Sequence, residues 1–89
     1  MADWIIGNNF CYNLNSIVAI QYLGFSNNNF YPNLYKIIFS NYNITNSEVS
    51  ITFTSNLSFE DIIFNLKKIR ELDEDTISLN EFYNYLVKY

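Results

Sequence analysis

The chain has 89 residues, 49% of them hydrophobic and 19% aromatic, and a formal net charge of −4. This composition excludes a disordered polar chain, and no run approaches the roughly 18 apolar residues of a membrane span. One small domain over 1–89 is expected, burying about 60–65% of its unfolded surface, so it folds alone with a thin margin that a partner or a second copy would widen.

At the N-terminus, Met1-Ala2-Asp3-Trp4 places no basic segment ahead of an apolar run, so no secretory signal is read and a cytoplasmic setting is expected. The one cysteine, Cys11, has no partner for an internal disulfide, in keeping with a reducing compartment. Between Phe10 and Tyr12 it reads as a packed small residue rather than a nucleophile.

The front of the chain, 1–55, reads as strands. Asp3 to Ile6 and Phe10 to Asn13 flank Gly7-Asn8-Asn9, whose residues tolerate positive φ, which predicts a short hairpin. Ser16 to Leu23 is apolar on both alternating faces, with Val18, Ile20 and Tyr22 on one and Ile17, Ala19 and Leu23 on the other. That pattern predicts a central strand covered on both sides. Leu34 to Ser40 opposes Tyr35, Ile37 and Phe39 to Leu34, Lys36 and Ile38. Glu48 to Thr54 alternates cleanly, with Val49, Ile51 and Phe53 inward and Ser50, Thr52 and Thr54 toward water. The short connections favour an antiparallel meander.

The tail, 57–89, reads as two helices, each announced by the same device. Ser58 and Ser78 are hydroxyl N-caps, Asp61 and Glu81 follow three residues later, and the pairs Leu57/Ile62 and Ile77/Phe82 can close hydrophobic staples. The first helix carries the stripe Phe59, Ile62, Ile63, Leu66 and Ile69, with Phe64 off it. Its acids at the start and Lys67, Lys68 and Arg70 at the end complement the macrodipole. The second helix carries Leu79, Phe82, Tyr83 and Leu86, widened by Tyr85 and Tyr89. The fold class is therefore α+β: an antiparallel meander of four to five strands followed by two C-terminal helices packed on the sheet.

Chemistry-bearing constellations are scarce. With no histidine and one cysteine, neither a Cys-His or Ser-His hydrolase nor a thiolate zinc site can be assembled within one chain. The two glycines, Gly7 and Gly24, supply neither a Walker loop nor a dinucleotide fingerprint. No catalytic residue, cofactor or metal is expected. The segment Asp75 to Phe82 resembles the second half of an EF-hand loop. Counting back from Glu81, however, puts Arg70 and Leu72 at ligand positions and Asp75 at the turn position of glycine, so a calcium site is rejected. Asn43-Ile44-Thr45 and Asn56-Leu57-Ser58 match the glycosylation sequon by chance in an Asn-rich chain.

Asparagine runs such as Asn27-Asn28-Asn29, with abundant Ile, Tyr and Phe, are the usage of an AT-rich genome. That bias would also raise lysine, which occurs only at Lys36, Lys67, Lys68 and Lys88. The eight tyrosines and eight phenylalanines could stack on bases, but five basic residues make no groove for a phosphate backbone. No direct nucleic-acid contact and no membrane contact are expected, and an acidic surface suits a basic protein partner.

Protein recognition is the function expected from what remains. Between two strands, Phe25, Asn28, Phe30 and Tyr31 combine rings with short amides, the composition of a recognition loop. The acidic run Asp73, Glu74 and Asp75 and the last helix through Tyr85 and Tyr89 are the other candidate contact surfaces. The reading is a non-enzymatic, small acidic binding protein, an inhibitor or antagonist of bacterial or phage type. A homo-oligomerisation module, with a homodimer as its simplest form, is the runner-up, and an enzyme using carboxylates or tyrosines is a distant third.

Overall fold

The computed structural model describes residues 2–40 and 49–87. The expectations for Met1, the sequon Asn43 to Thr45, the strand start at Glu48, Lys88 and Tyr89 lie outside the described residues. Among those described, the order is β1 (Trp4–Ile6), β2 (Cys11–Asn13), a 3-10 turn (Leu14–Ser16), β3 (Ile17–Phe25), β4 (Asn33–Phe39), β5 (Val49–Ser55), α1 (Phe59–Arg70), β6 (Thr76–Ser78) and α2 (Leu79–Tyr85). The class is α+β.

The strands form two three-stranded sheets, β2-β1-β6 and β3-β4-β5, where the sequence pointed to one meander of four or five strands. The second sheet is an antiparallel meander, as the short connections require. The first is mixed. The predicted hairpin forms, with Gly7 N–H donating to Phe10 C=O at 3.0 Å, and β6 then pairs with β1 in parallel. The tail is therefore not wholly helical. β6 is only three residues long and doubles as the lead-in to α2, so its strand character left no periodicity to read.

The strand taken as central is also corrected. β4 is the central strand and β3 is an edge. Register shifts at Val18 and Leu23 each insert an extra residue into β3, and both side chains are exposed. The apolar alternation that suggested two covered faces is an alternation broken twice by bulges. Gly24, just past the second bulge, has φ +109°, and a Cβ there would meet nothing within 4 Å. Gly24→Ala is thus a pure backbone test. It is expected to cost about 1–2 kcal/mol in urea unfolding; a neutral result would show that the bulge relaxes to negative φ.

Both helices start where the caps placed them. Ser58 Oγ accepts from Asp61 N–H at 3.3 Å and Ser78 Oγ from Glu81 N–H at 3.2 Å, and all four staple residues are buried. Ile62, Leu66 and Ile69 carry α1 into the core, while Phe59 stays partly exposed. Phe64, off the stripe, is exposed and lies beneath Lys68, whose Nζ is 4.6 Å from the ring centroid. Aromatic pairs tie the layers: Tyr12 stacked on Phe39 at 4.9 Å joins the two sheets, and the tilted pairs Tyr35–Phe59 and Phe53–Tyr83, each at 6.3 Å, join β4 to α1 and β5 to α2. The buried residues form one hydrophobic cluster running through both sheets and both helices.

The polar groups at the β5–α1 corner are satisfied by side chains of β4 and of the end of β5. Leu57 C=O accepts from Asn33 Nδ2 at 3.1 Å and from Tyr35 Oη at 2.7 Å, and Leu57 N–H donates to Ser55 Oγ at 3.0 Å. Ser55 Oγ in turn donates to Leu86 C=O, and Asn65 Nδ2 donates to Tyr85 C=O at 2.7 Å. The open carbonyls at the end of α2 are thus closed by β5 and α1.

Burial pushes the Tyr35 phenol above its ordinary value, with Tyr22 and Asp61 adding in the same direction. The folded state therefore holds this proton more tightly than the unfolded chain. Tyr35's contribution is fully present below the ordinary tyrosine pKa near 10 and is lost as pH rises through the folded value. Stability should fall above about pH 10, and Tyr35→Phe should flatten that fall while lowering stability at pH 7. A decline of equal steepness in the variant would assign it to other groups.

Candidate functional site

Four of the residues singled out for recognition come together at the β3–β4 turn. Ser26 N–H donates to Pro32 C=O at 2.8 Å and Ser26 Oγ donates to Tyr31 C=O at 2.6 Å, which closes the base of the loop. Inside it, Asn28 Oδ1 accepts from Phe30 N–H at 2.9 Å and from Tyr31 N–H at 3.2 Å. Short side chains competing for local backbone groups are what make Ser and Asn turn formers. Here they fix the backbone on either side of an aromatic residue.

The rings do not fold back onto the sheet edge. Phe25 is 85% exposed and Phe30 81%, whereas Tyr31 is half-buried. Two large apolar side chains therefore stand in water, Phe25 as the last residue of β3, paired with Asn33, and Phe30 on a loop whose conformation is already held. Ser26 is a positioning residue that the composition reading passed over; its place at the head of the Asn run was the available signal.

The other predicted contacts lie apart from this loop. Arg70, at the end of α1, donates to Asn15 Oδ1 at 2.6 Å, ahead of the first residue of β3, while the aromatic loop follows that strand's last residue. Asp73, Glu74 and Asp75 follow Arg70 after Glu71 and Leu72 and are exposed. Asp75 C=O accepts from Asp3 N–H at 2.9 Å and Trp4 N–H at 3.3 Å, which ties the acidic connector to the N-terminal strand. The acids and the aromatic loop thus sit at opposite ends of β3. Tyr85 is half-buried against the core with its carbonyl engaged by Asn65, so it presents less surface than a free helix face would.

Concavities are shallow. A cleft of about 410 Å³ between the first hairpin and the start of α2 is lined largely by Gly7, Asn8, Asn9, Ser78 and Asn80 with Phe10. A smaller one, about 190 Å³, lies between β3 and α1. Among the described residues no group of three or more metal-ligating side chains converges, and no helix is long and apolar enough to cross a membrane. The two tyrosines with raised phenols, Tyr35 and Tyr83, owe the shift chiefly to burial in the core.

The architecture is α+β. Comparison with protein-family models, with curated proteins and with solved structures finds no match.

Proposed function

We propose that this protein is a non-enzymatic binding module that occupies a partner protein's surface through the β3–β4 turn, in the manner of a small inhibitor or antagonist. One observation carries the reading: Phe25, at the end of β3, and Phe30, on the loop fixed by Ser26 and Asn28, are 85% and 81% exposed. Exposed rings on a mobile loop would lose ordering entropy on binding. On a held loop that cost is already met in the free protein, and aromatic side chains are the usual anchors of an interface. The net charge of −4 and the exposed acids Asp73 and Glu74 suit a partner with basic character, contacted at a point separate from the aromatic tip. A cytoplasmic antagonist of bacterial or phage origin is the setting that fits a small, acidic, Asn-rich chain.

The test is affinity capture from bacterial lysate with the wild type and with Phe25→Ala/Phe30→Ala. Loss of the captured protein with thermal stability unchanged supports the reading, because neither ring is in the core. Undiminished capture overturns it. The second reading, homo-oligomerisation, draws on the open edge of β3, where Val18, Tyr22 and Leu23 are exposed. Light scattering at micromolar concentration decides it: a strict monomer excludes the oligomer.

A further inference from the structure

We propose that the cleft between β3 and α1 is a docking groove for an extended acidic–aliphatic segment of a partner protein, which adds as a fourth strand beside β3. This goes beyond the aromatic turn, uses different residues and fails independently of it.

The core-facing side chains of β3, Ile17 and Ile20, form one wall of the cleft together with Leu14, and Ile63 and Leu66 of α1 form the other. α1 runs antiparallel to β3. Its first residue, Phe59, meets Tyr35, the register partner of Tyr22, while its last, Arg70, meets Asn15 ahead of Ile17. The helix therefore follows an edge strand that has no further strand beside it among the described residues. A strand added about 4.8 Å out from β3 would point alternate side chains into this gap. The space, about 190 Å³, accommodates an aliphatic side chain rather than a large cofactor.

Charge selects the occupant. Lys67 and Arg70 stand at the mouth, at the Ile17 end, so an otherwise acidic molecule turns two of its five cations toward one apolar cleft. Arg70 donates to the Asn15 amide oxygen, and the other end of that amide donates to Asp3 Oδ1 at 3.4 Å, so the guanidinium is positioned by an amide with a carboxylate behind it rather than paired with that carboxylate directly. The complementary segment carries an aliphatic residue and, two or four residues on, a carboxylate on the same face.

The bulges set the length. Between Val18 and Leu23 the register of β3 is regular only over Ala19, Ile20, Gln21 and Tyr22. A bulged edge resists continuous sheet extension, so a short peptide segment suits this window better than the whole β3 of a second copy.

The test uses the intact protein and two capped octapeptides, Thr-Val-Thr-Ile-Thr-Glu-Thr-Glu and the same residues in reverse order, since the edge accepts either polarity. Each is titrated against the ¹⁵N-labelled protein beside a counterpart with lysine for glutamate. Saturable amide shifts at Ala19–Tyr22, Ile63 and Leu66 with at least one acidic peptide, weakened about 10-fold or more by Lys67→Glu/Arg70→Glu in a variant whose peptide-free amide spectrum shows the fold retained, support the groove. Failure of both acidic peptides, equal binding of the lysine peptides, or shifts confined to other surfaces overturns it. Self-association through Ala19–Tyr22 without peptide would assign the edge to a second copy and equally overturn it.

Discussion

Ser55→Ala is expected to destabilise the fold by about 2–4 kcal/mol, more than a serine usually matters. Ser55 is the one buried polar residue among those described, with 0% exposure, and its hydroxyl works in both directions. It accepts from Leu57 N–H at 3.0 Å, just ahead of α1, and donates to Leu86 C=O at the end of α2. Alanine removes both partners at once and leaves a buried donor and a buried acceptor unsatisfied, each costing about 1–3 kcal/mol. The volume lost is too small to admit a water with adequate partners. A domain of this size has about 4–13 kcal/mol of stability in all, so the loss is a large share. Urea unfolding of both proteins, with m unchanged, reads the difference. A loss below about 1 kcal/mol would mean that the two groups find other partners and that Ser55 does not join the helices.

What the sequence could show is the part of the fold written within a few residues. The caps at Ser58 and Ser78 are contacts three residues apart, the first hairpin closes across Gly7-Asn8-Asn9, and the clean alternation of Val49, Ile51 and Phe53 has one wet side. The loop residues Phe25, Asn28, Phe30 and Tyr31 were legible for the same reason, because Asx turns are local chemistry. Long-range choices were not. The pairing of β6 with β1 joins three residues near the end of the chain to three near its start, and nothing in Thr76-Ile77-Ser78 names that partner. Bulges disguised an edge strand as a central one, since an extra residue swaps faces and fills an alternating pattern with apolar side chains on both sides. Lys67 and Arg70 already had a complete local explanation at the end of a helix, so their place at the mouth of a cleft was invisible until β3 was set beside α1.

Phe82→Ala is expected to be the most damaging substitution in the helical half, at about 3–5 kcal/mol, with Ile77→Ala at about 2–4 kcal/mol. Both side chains are fully buried, and they do two jobs together. Ile77 is the middle residue of β6, paired with Ile5 of β1, and it precedes the N-cap Ser78; Phe82 lies on the first turn of α2 at the staple position. A seven-residue helix has little stability of its own, so α2 depends on the burial of these side chains in the common core and on the side chains that close its end. The two substitutions should therefore fall short of additivity by about 1 kcal/mol, since the first already removes the surface that the second would lose. Chemical denaturation of the two single variants and the double variant gives the cycle. Should the double variant be too unstable to measure, Ile77→Val with Phe82→Leu gives the same comparison at smaller cost. Additivity within about 0.3 kcal/mol in the Ala cycle would show that the two residues are independent parts of the core and that the staple holds nothing.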